Sequence, residues 1–322
     1  MIEEILANLY KIEIPLPQNP LKSLNSYVIK NSGRNLIIDT GWNQEECKNA
    51  MESGLRKLGI NINKTDFFIT HLHADHLGLV SDLATETSTI YFNQPDADRF
   101  KSGFPWDDII KFARLNGYPE NELQANRQSH PGFKFRSQEN LDFYILKEGD
   151  PISIGDYDFK CVETPGHTWG HMCLYEPIKK IFVAGDHLLN DITPTIQLWS
   201  DDRNSLKEYL SSLDKVHGYD IKLVLPGHRS IFRNYKERIQ ELKDHHQKRL
   251  DEIISILRKG RQNAFQVASQ MSWDIIYDSW DLFPVSQKWF AIGEAIAHLK
   301  YLQEKGVIRR EMREQRIMFS LK

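Results

Sequence analysis

Cysteine is scarce in this chain: three residues in 322, Cys47, Cys161 and Cys173, with no C-x-x-C pair among them. That scarcity excludes a disulfide framework and a cysteine-built zinc site, and it fits a reducing cytoplasm. The three thiols are expected as small buried apolar side chains. No run is long and apolar enough to span a bilayer. The acidic start Met1-Ile2-Glu3-Glu4 leads into no basic and then apolar leader, so no cleaved secretory signal is expected. A strong basic excess, the usual footprint of a nucleic-acid protein, is also lacking, since the formal net charge is -3. No G-x-S-x-G elbow occurs, which removes the serine-based α/β-hydrolase mechanism. No repeat or low-complexity tract is visible.

What remains is an ordinary globular composition, 40% hydrophobic, 26% charged and 11% aromatic. The length suffices for one large core and a smaller domain. Charge divides unevenly: residues 231–322 hold 17 Lys/Arg against 12 Asp/Glu, or +5, which leaves -8 on residues 1–230.

The spacing of apolar residues gives a coarse map. Ser26-Tyr27-Val28-Ile29 and Asn35-Leu36-Ile37-Ile38 flank the turn Asn31-Ser32-Gly33 and predict a hairpin. Glu45 to Leu58 reads as a helix with Met51, Leu55 and Leu58 on one face. Phe67-Phe68-Ile69-Thr70 is a short buried strand by content. Residues 95–150 change texture, with a helix beginning near Phe104-Pro105-Trp106 and turns at Asn116-Gly117-Tyr118-Pro119 and His130-Pro131-Gly132. They read as an inserted helical flap outside any regular sheet, whose Phe104, Trp106, Phe112 and Tyr118 could close an apolar pocket. Strand patterns resume at 159–162, 172–175, 181–184 and 221–225, so residues 1–232 form a mixed α/β layered domain. From residue 233 the chain turns helical, over Arg238 to Leu257 and Trp289 to Glu304, and ends in a hairpin-like pair at 307–309 and 317–320. That order suggests a winged-helix-like module, with Trp280, Leu282, Phe283, Trp289 and Phe290 as core or dimer-contact candidates.

The chemistry concentrates in Thr70-His71-Leu72-His73-Ala74-Asp75-His76-Leu77-Gly78. Three histidines and an aspartate in six residues supply the nitrogen and oxygen ligands that zinc and similar divalent metals prefer. The same device recurs three times after a strand: Thr164-Pro165-Gly166-His167, Ala184-Gly185-Asp186 and Leu225-Pro226-Gly227-His228. Strands of one sheet ending on one edge bring such loops together, and glycine permits the sharp bends. His245-His246 reads instead as a solvated patch. His130, His217 and His298 read as structural or surface residues, and His171 and His187 as either supporting contacts or packing.

In this order and spacing, H-x-H-x-D-H, Pro-Gly-His, Gly-Asp and Pro-Gly-His resemble the metallo-β-lactamase superfamily over about residues 8–232. The resemblance implies an αββα sandwich with two metals at one edge. His71, His73 and His167 would hold the first, Asp75, His76 and His228 the second, and Asp186 would bridge them. Asp39 matches a position that supports the site from behind. The tail from Tyr235 is similar to the winged-helix-like domain of the branch that includes β-lactamase-like proteins, some of which cut RNA.

The function expected from this is a hydrolase with two divalent ions, zinc before iron or manganese, that share an attacking hydroxide. Asp75 would orient that nucleophile or shuttle its proton. A small thioester or ester is the first expectation, in the manner of glyoxalase II, although the tail does not resemble that enzyme's glutathione-binding helices. A phosphodiesterase or endoribonuclease acting on single-stranded RNA is the alternative, with Arg309, Arg310, Arg313 and Arg316 as phosphate contacts. The third reading is a metal-stabilised binding module whose tail holds a partner, a second copy of the chain included.

Overall fold

The early strands alternate tight polar turns with apolar runs, and they assemble into one sheet. The computed structural model describes residues 1–103, 105–123, 134–135, 137, 141–274 and 277–322. Its first sheet orders β1 (Ile2–Leu6), β2 (Leu9–Pro15), β3 (Ser23–Ile29), β4 (Asn35–Ile38), β5 (Thr65–Phe68), β6 (Ile90–Asn93) and β7 (Tyr144–Leu146) side by side. The first four run antiparallel, and β4 through β7 run parallel. The second sheet contains β8 (Pro151–Ile154), β9 (Tyr157–Glu163), β10 (Met172–Glu176), β11 (Ile181–Gly185) and β12 (Leu223–Pro226), in the order β12-β11-β10-β9-β8. Strands β10, β11 and β12 are buried along their whole length, as strands covered on both faces must be. Edge strand β8 alternates exposed and buried residues.

The sheets face each other across Leu9, Tyr27, Ile38 and Phe68 on one side and Phe159, Met172, Val183 and Leu225 on the other. Helix α1 (Glu45–Leu58) covers the outer face of the first sheet with Cys47, Met51 and Leu55. Acidic Glu45 and Glu46 open it, Arg56 and Lys57 close it, and Gly59 caps it at φ 66°, so charge and conformation agree with the macrodipole. Short turns α2 (Ala74–Leu77) and α3 (Val80–Leu83) follow β5, and α4 (Gln94–Ser102) and α5 (Trp106–Leu115) follow β6. Helix α6 (Ser205–His217) lies against the outer face of the second sheet through Leu206, Tyr209, Leu213 and Val216. The layers are therefore the αββα order. Beyond β12 come α7 (Tyr235–Leu257), α8 (Ala264–Ala268), α9 (Val285–Glu304) and the antiparallel hairpin β13 (Ile308–Arg313)–β14 (Arg316–Leu321).

Two expectations need correction. The stretch from 95 to 150 is helical in α4 and α5 but returns to the first sheet as β7, parallel to β6. Three residues, one of them 60% exposed, carry too little periodicity to be read as a strand. The expected flap aromatics Trp106 and Tyr118 are buried with Trp289 of α9, at ring separations of 6.5 and 5.4 Å, in the core that also holds the outer face of the second sheet. They join α5 to the C-terminal helices rather than closing a pocket. Phe112 lies partly buried against the same core, whereas Phe104 and the turn His130-Pro131-Gly132 fall outside the described residues. Of the apolar tail residues, Trp289 and Phe283 are buried, and Leu282 is 59% exposed.

Candidate metal centre

Each of the four motif loops leaves a strand end on the same edge of the sandwich. After β5 the chain passes Ile69 and Thr70 into His71, and His73 takes the N-cap position of α2, whose single turn carries Asp75 and His76. β9 leads to His167, β11 ends in Gly185 before Asp186, and β12 ends at Pro226 before Gly227 and His228. Glycine is required at two of these bends. Gly185 has φ 48°, and a Cβ on Gly227 would stand 2.6 Å from Asp186 Oδ1 and 2.9 Å from His76 Cε1.

All seven expected ligands meet. Three sets bring their donor atoms within 4.8 Å of one another: His71, His73 and His167; His71, His76 and Asp186; Asp75, His76 and His228. His73 Nδ1 is 3.0 Å from both His71 Nε2 and His167 Nε2. Asp186 faces both ends of the cluster. Its Oδ2 is 3.6 Å from His167 Nε2, while its Oδ1 is 3.5 Å from both His76 Nε2 and His228 Nε2. Asp75 Oδ2 lies 3.4 Å from His228 Nε2.

These residues suit a divalent cation. His76 Nε2, His228 Nε2 and Asp186 Oδ1 are buried without a hydrogen-bond partner although they converge on one point. Orphaned buried polar atoms cost about 1–3 kcal/mol each. A cation held by imidazole and carboxylate would satisfy all three at once. The metal's identity is open to zinc, iron or manganese, since the donors suit each.

The far sides of the rings are held in place. Asp39 Oδ2 is 2.7 Å from His76 Nδ1, and the same carboxylate accepts from the Thr70 amide and hydroxyl, both at 2.9 Å. His71 Nδ1 meets Thr70 Oγ1 at 3.0 Å, His167 Nδ1 the Thr195 carbonyl at 2.9 Å, and His228 Nδ1 the Ser23 carbonyl at 2.7 Å. Such partners fix tautomer and ring orientation, leaving the other nitrogen free to ligate.

Burial and neighbouring imidazoles push His71 and His73 well below the ordinary histidine value, and burial pushes His167 the same way, so these rings are neutral. Burial opposes ionisation of Asp75, yet His76 and His228 outweigh it and draw the carboxyl down to about 2. Asp186 is likewise held below the ordinary carboxylate range against its burial, by His228, His76 and His167. Burial would discharge His76, but Asp39, Asp186 and Asp75 raise it instead. Neutral His71, His73 and His167 and ionised Asp75 and Asp186 are the forms that bind metal, whereas His76 and His228, raised by the carboxylates against their burial, would release a proton on binding one.

Some supporting residues carry no motif. Asp96, buried in the first turn of α4, accepts from the Leu72 amide at 3.0 Å, the Thr168 hydroxyl at 2.7 Å and the Gly170 amide at 2.8 Å. His171 is a supporting contact: its Nε2 accepts from the Asp186 amide at 3.1 Å, and its Nδ1 meets Thr164 Oγ1 at 2.7 Å. His187 is buried with its ring against Tyr209, 5.4 Å between centroids. The reading of His245-His246 as a solvated pair fails for His246, which is fully buried with Nδ1 3.1 Å from His298 Nε2. It sits on the buried side of α7, which adjacency to another histidine conceals. His298 is structural, His217 is exposed, and His130 lies outside the described residues. Cys47, Cys161 and Cys173 are all free and buried. Among the described residues, no helix is long and apolar enough to cross a membrane.

Known proteins carry the same layout. The Metallo-beta-lactamase superfamily profile matches residues 20–228, and that of the metallo-beta-lactamase-like C-terminal domain matches residues 250–320. A beta-lactamase-like protein 2 homolog of Caenorhabditis elegans is 23% identical over 290 residues, covering 89% of this chain and 81% of the relative. An atrochrysone carboxyl ACP thioesterase of Aspergillus fumigatus is 24% identical over 241 residues, 75% of this chain and 62% of that protein. The crystal structure of a metallo-beta-lactamase family protein from Thermus thermophilus superposes with a TM-score of 0.83 at 26% identity, covering 99% of this chain and 100% of that one. The family match spans residues 20–228 and the C-terminal match residues 250–320, and this chain belongs to the metallo-β-lactamase superfamily.

Proposed function

We propose that this chain is a hydrolase that holds two divalent cations, zinc first, and opens a small thioester or ester. The observation that carries the reading is Asp186, whose two oxygens face different histidine sets. His71, His73 and His167 would hold one cation, Asp75, His76 and His228 the other, and Asp186 would serve both. Bound there, the cations supply Lewis acidity and water that is nucleophilic near neutral pH.

The chain's own groups do the rest. Asp75, ionised and 14% exposed, is the site carboxylate nearest solvent, placed to orient attacking water or shuttle its proton. The neutral rings of His71, His73 and His167 add no competing charge. The Asp39, Thr195 and Ser23 acceptors keep the rings from turning as charge develops in the transition state.

A small acyl substrate is favoured over RNA by two facts. One is the similarity to a protein named as an acyl-carrier thioesterase. The other is that two of the four arginines expected to touch phosphate, Arg310 and Arg313, face acidic groups of this chain, while Arg309 bonds a serine and Arg316 is exposed. Arg310 bonds Asp201 at 2.7 Å, Arg309 bonds Ser320 at 3.0 Å, Arg313 lies 3.3 Å from Glu311, and Lys288 is buried against Glu122 at 3.0 Å. We place the substrate as a small molecule and the module boundary near residue 232.

The test is purified protein of measured metal content, assayed on an acyl-thioester panel and on labelled single-stranded RNA. Thioester turnover abolished by chelator and cut by orders of magnitude in Asp75→Ala is expected. RNA cleavage with the same dependence would replace this reading with the nuclease. Metal bound in full with neither activity would favour the binding module.

A further inference from the structure

Asp96 is placed where a first-turn aspartate ordinarily serves its own helix, favoured there by the helix dipole. Its three hydrogen bonds instead all leave α4. Oδ2 takes the Leu72 amide and the Thr168 hydroxyl, and Oδ1 takes the Gly170 amide. Leu72 lies between His71 and His73, and Thr168 follows His167, so one buried carboxylate ties together the two loops that carry the tri-histidine set. The approach is close by construction: a Cβ on Gly170 would stand 2.6 Å from the Asp96 amide nitrogen and 2.8 Å from its Cγ. Asp39 does the equivalent for the other end, through His76 and Thr70.

We infer that Asp96 is a positioning residue dedicated to the His71/His73/His167 half of the centre, whereas Asp39 braces His76 directly and His71 only through Thr70. Weakening the Asp96 brace then loosens the loops of His73 and His167 while the Asp39 contact to His76 stays in place. This rests on the two-cation reading above.

All three partners of Asp96 are donors. Asparagine can accept on one side only and turns an NH2 toward a donor on the other, at nearly unchanged volume. Asp96→Asn therefore keeps the packing and breaks the brace. Thr168→Val, which removes one of the three bonds, is the milder variant should Asp96→Asn fold poorly.

The experiment is titration of metal-free wild type, Asp96→Asn, Thr168→Val and Asp96→Asn/His228→Ala with zinc against a chromophoric chelator, alongside thermal melts of the metal-free proteins. Wild type should bind two zinc ions. Asp96→Asn should keep one tight site and weaken the other by about 10–100-fold, the usual loss on removing an outer-shell partner. Thr168→Val should show a smaller weakening in the same step, and adding His228→Ala should remove the remaining tight site. The metal-free melt of Asp96→Asn should fall only modestly, by the cost of one buried donor left without its acceptor. Two zinc ions bound to Asp96→Asn with wild-type affinity, or equal weakening of both sites together with a metal-free melt lowered beyond that modest fall, would overturn the role of Asp96 and leave the centre standing. A wild type that binds no zinc, iron or manganese would overturn the two-cation reading and this inference together.

Discussion

Asp39 Oδ2 lies 2.7 Å from Nδ1 of His76, a ring whose other nitrogen is 3.5 Å from Asp186 Oδ1. The carboxylate reaches the centre from the loop after β4, with its own backbone at φ 57°. Asparagine also tolerates that left-handed conformation.

Asp39→Asn should therefore fold and still weaken metal binding by about 10–100-fold, because the ring loses its orienting acceptor. Chelator competition on the purified variant measures this. Unchanged affinity would mean that Thr70 and packing alone hold His76.

Gly227→Ala introduces a methyl group into a space where the nearest atoms are Asp186 Oδ1 at 2.6 Å and His76 Cε1 at 2.9 Å. Both belong to the candidate ligand set, so relief must come by displacing one of them. Metal content per chain should fall below two and activity with it, while the circular dichroism spectrum stays native. Full occupancy would show that the loop can move outward without cost.

Trp289→Ala tests whether the C-terminal helices are a separate unit. Trp289 is 2% exposed, stacks on Trp199 at 3.9 Å between ring centroids, and shares one core with Trp106, Tyr118 and the outer face of the second sheet. The loop holding Trp199 also supplies the Thr195 carbonyl to His167. The substitution should cost about 3–5 kcal/mol and leave a single cooperative unfolding transition. Two resolved transitions would show that the modules melt independently.

Glu294, on the buried side of α9, is pushed up to about 7 by burial, against the pull of Arg249 3.8 Å away. A carboxyl whose folded value exceeds its unfolded value binds its proton more tightly when folded. Its stabilising contribution is present below about pH 4.5 and is lost as pH rises through 7, on the order of 3 kcal/mol in all. Glu294→Gln should remove that loss. The stability difference between variant and wild type, measured by urea denaturation at about pH 4.5 and about pH 7.5, should then shift toward the variant at the higher pH. A pH-independent difference would contradict it.

Local chemistry made much of this protein readable before any fold was known. The helical face of Glu45–Leu58, the hairpin after Ser26 and the strand-then-glycine bends before Asp186 and His228 each depend on residues a few positions apart, and periodicity and glycine report such features directly. The seven candidate ligands were legible for the same reason, because each sits in a short motif at a strand end. Tertiary structure decided what depends on contacts between distant segments. Only packing showed that β7 closes the first sheet, that the aromatics of α5 belong to a core shared with α9, and that His246 pairs with His298 inside it. Only packing brought Asp96 to both histidine loops, 24 residues from Leu72 and 72 from Thr168. An isolated aspartate at the start of a helix has no local signature of that role. Its partners are backbone amides and a hydroxyl that every sequence contains, and the fold alone selects which of them it meets.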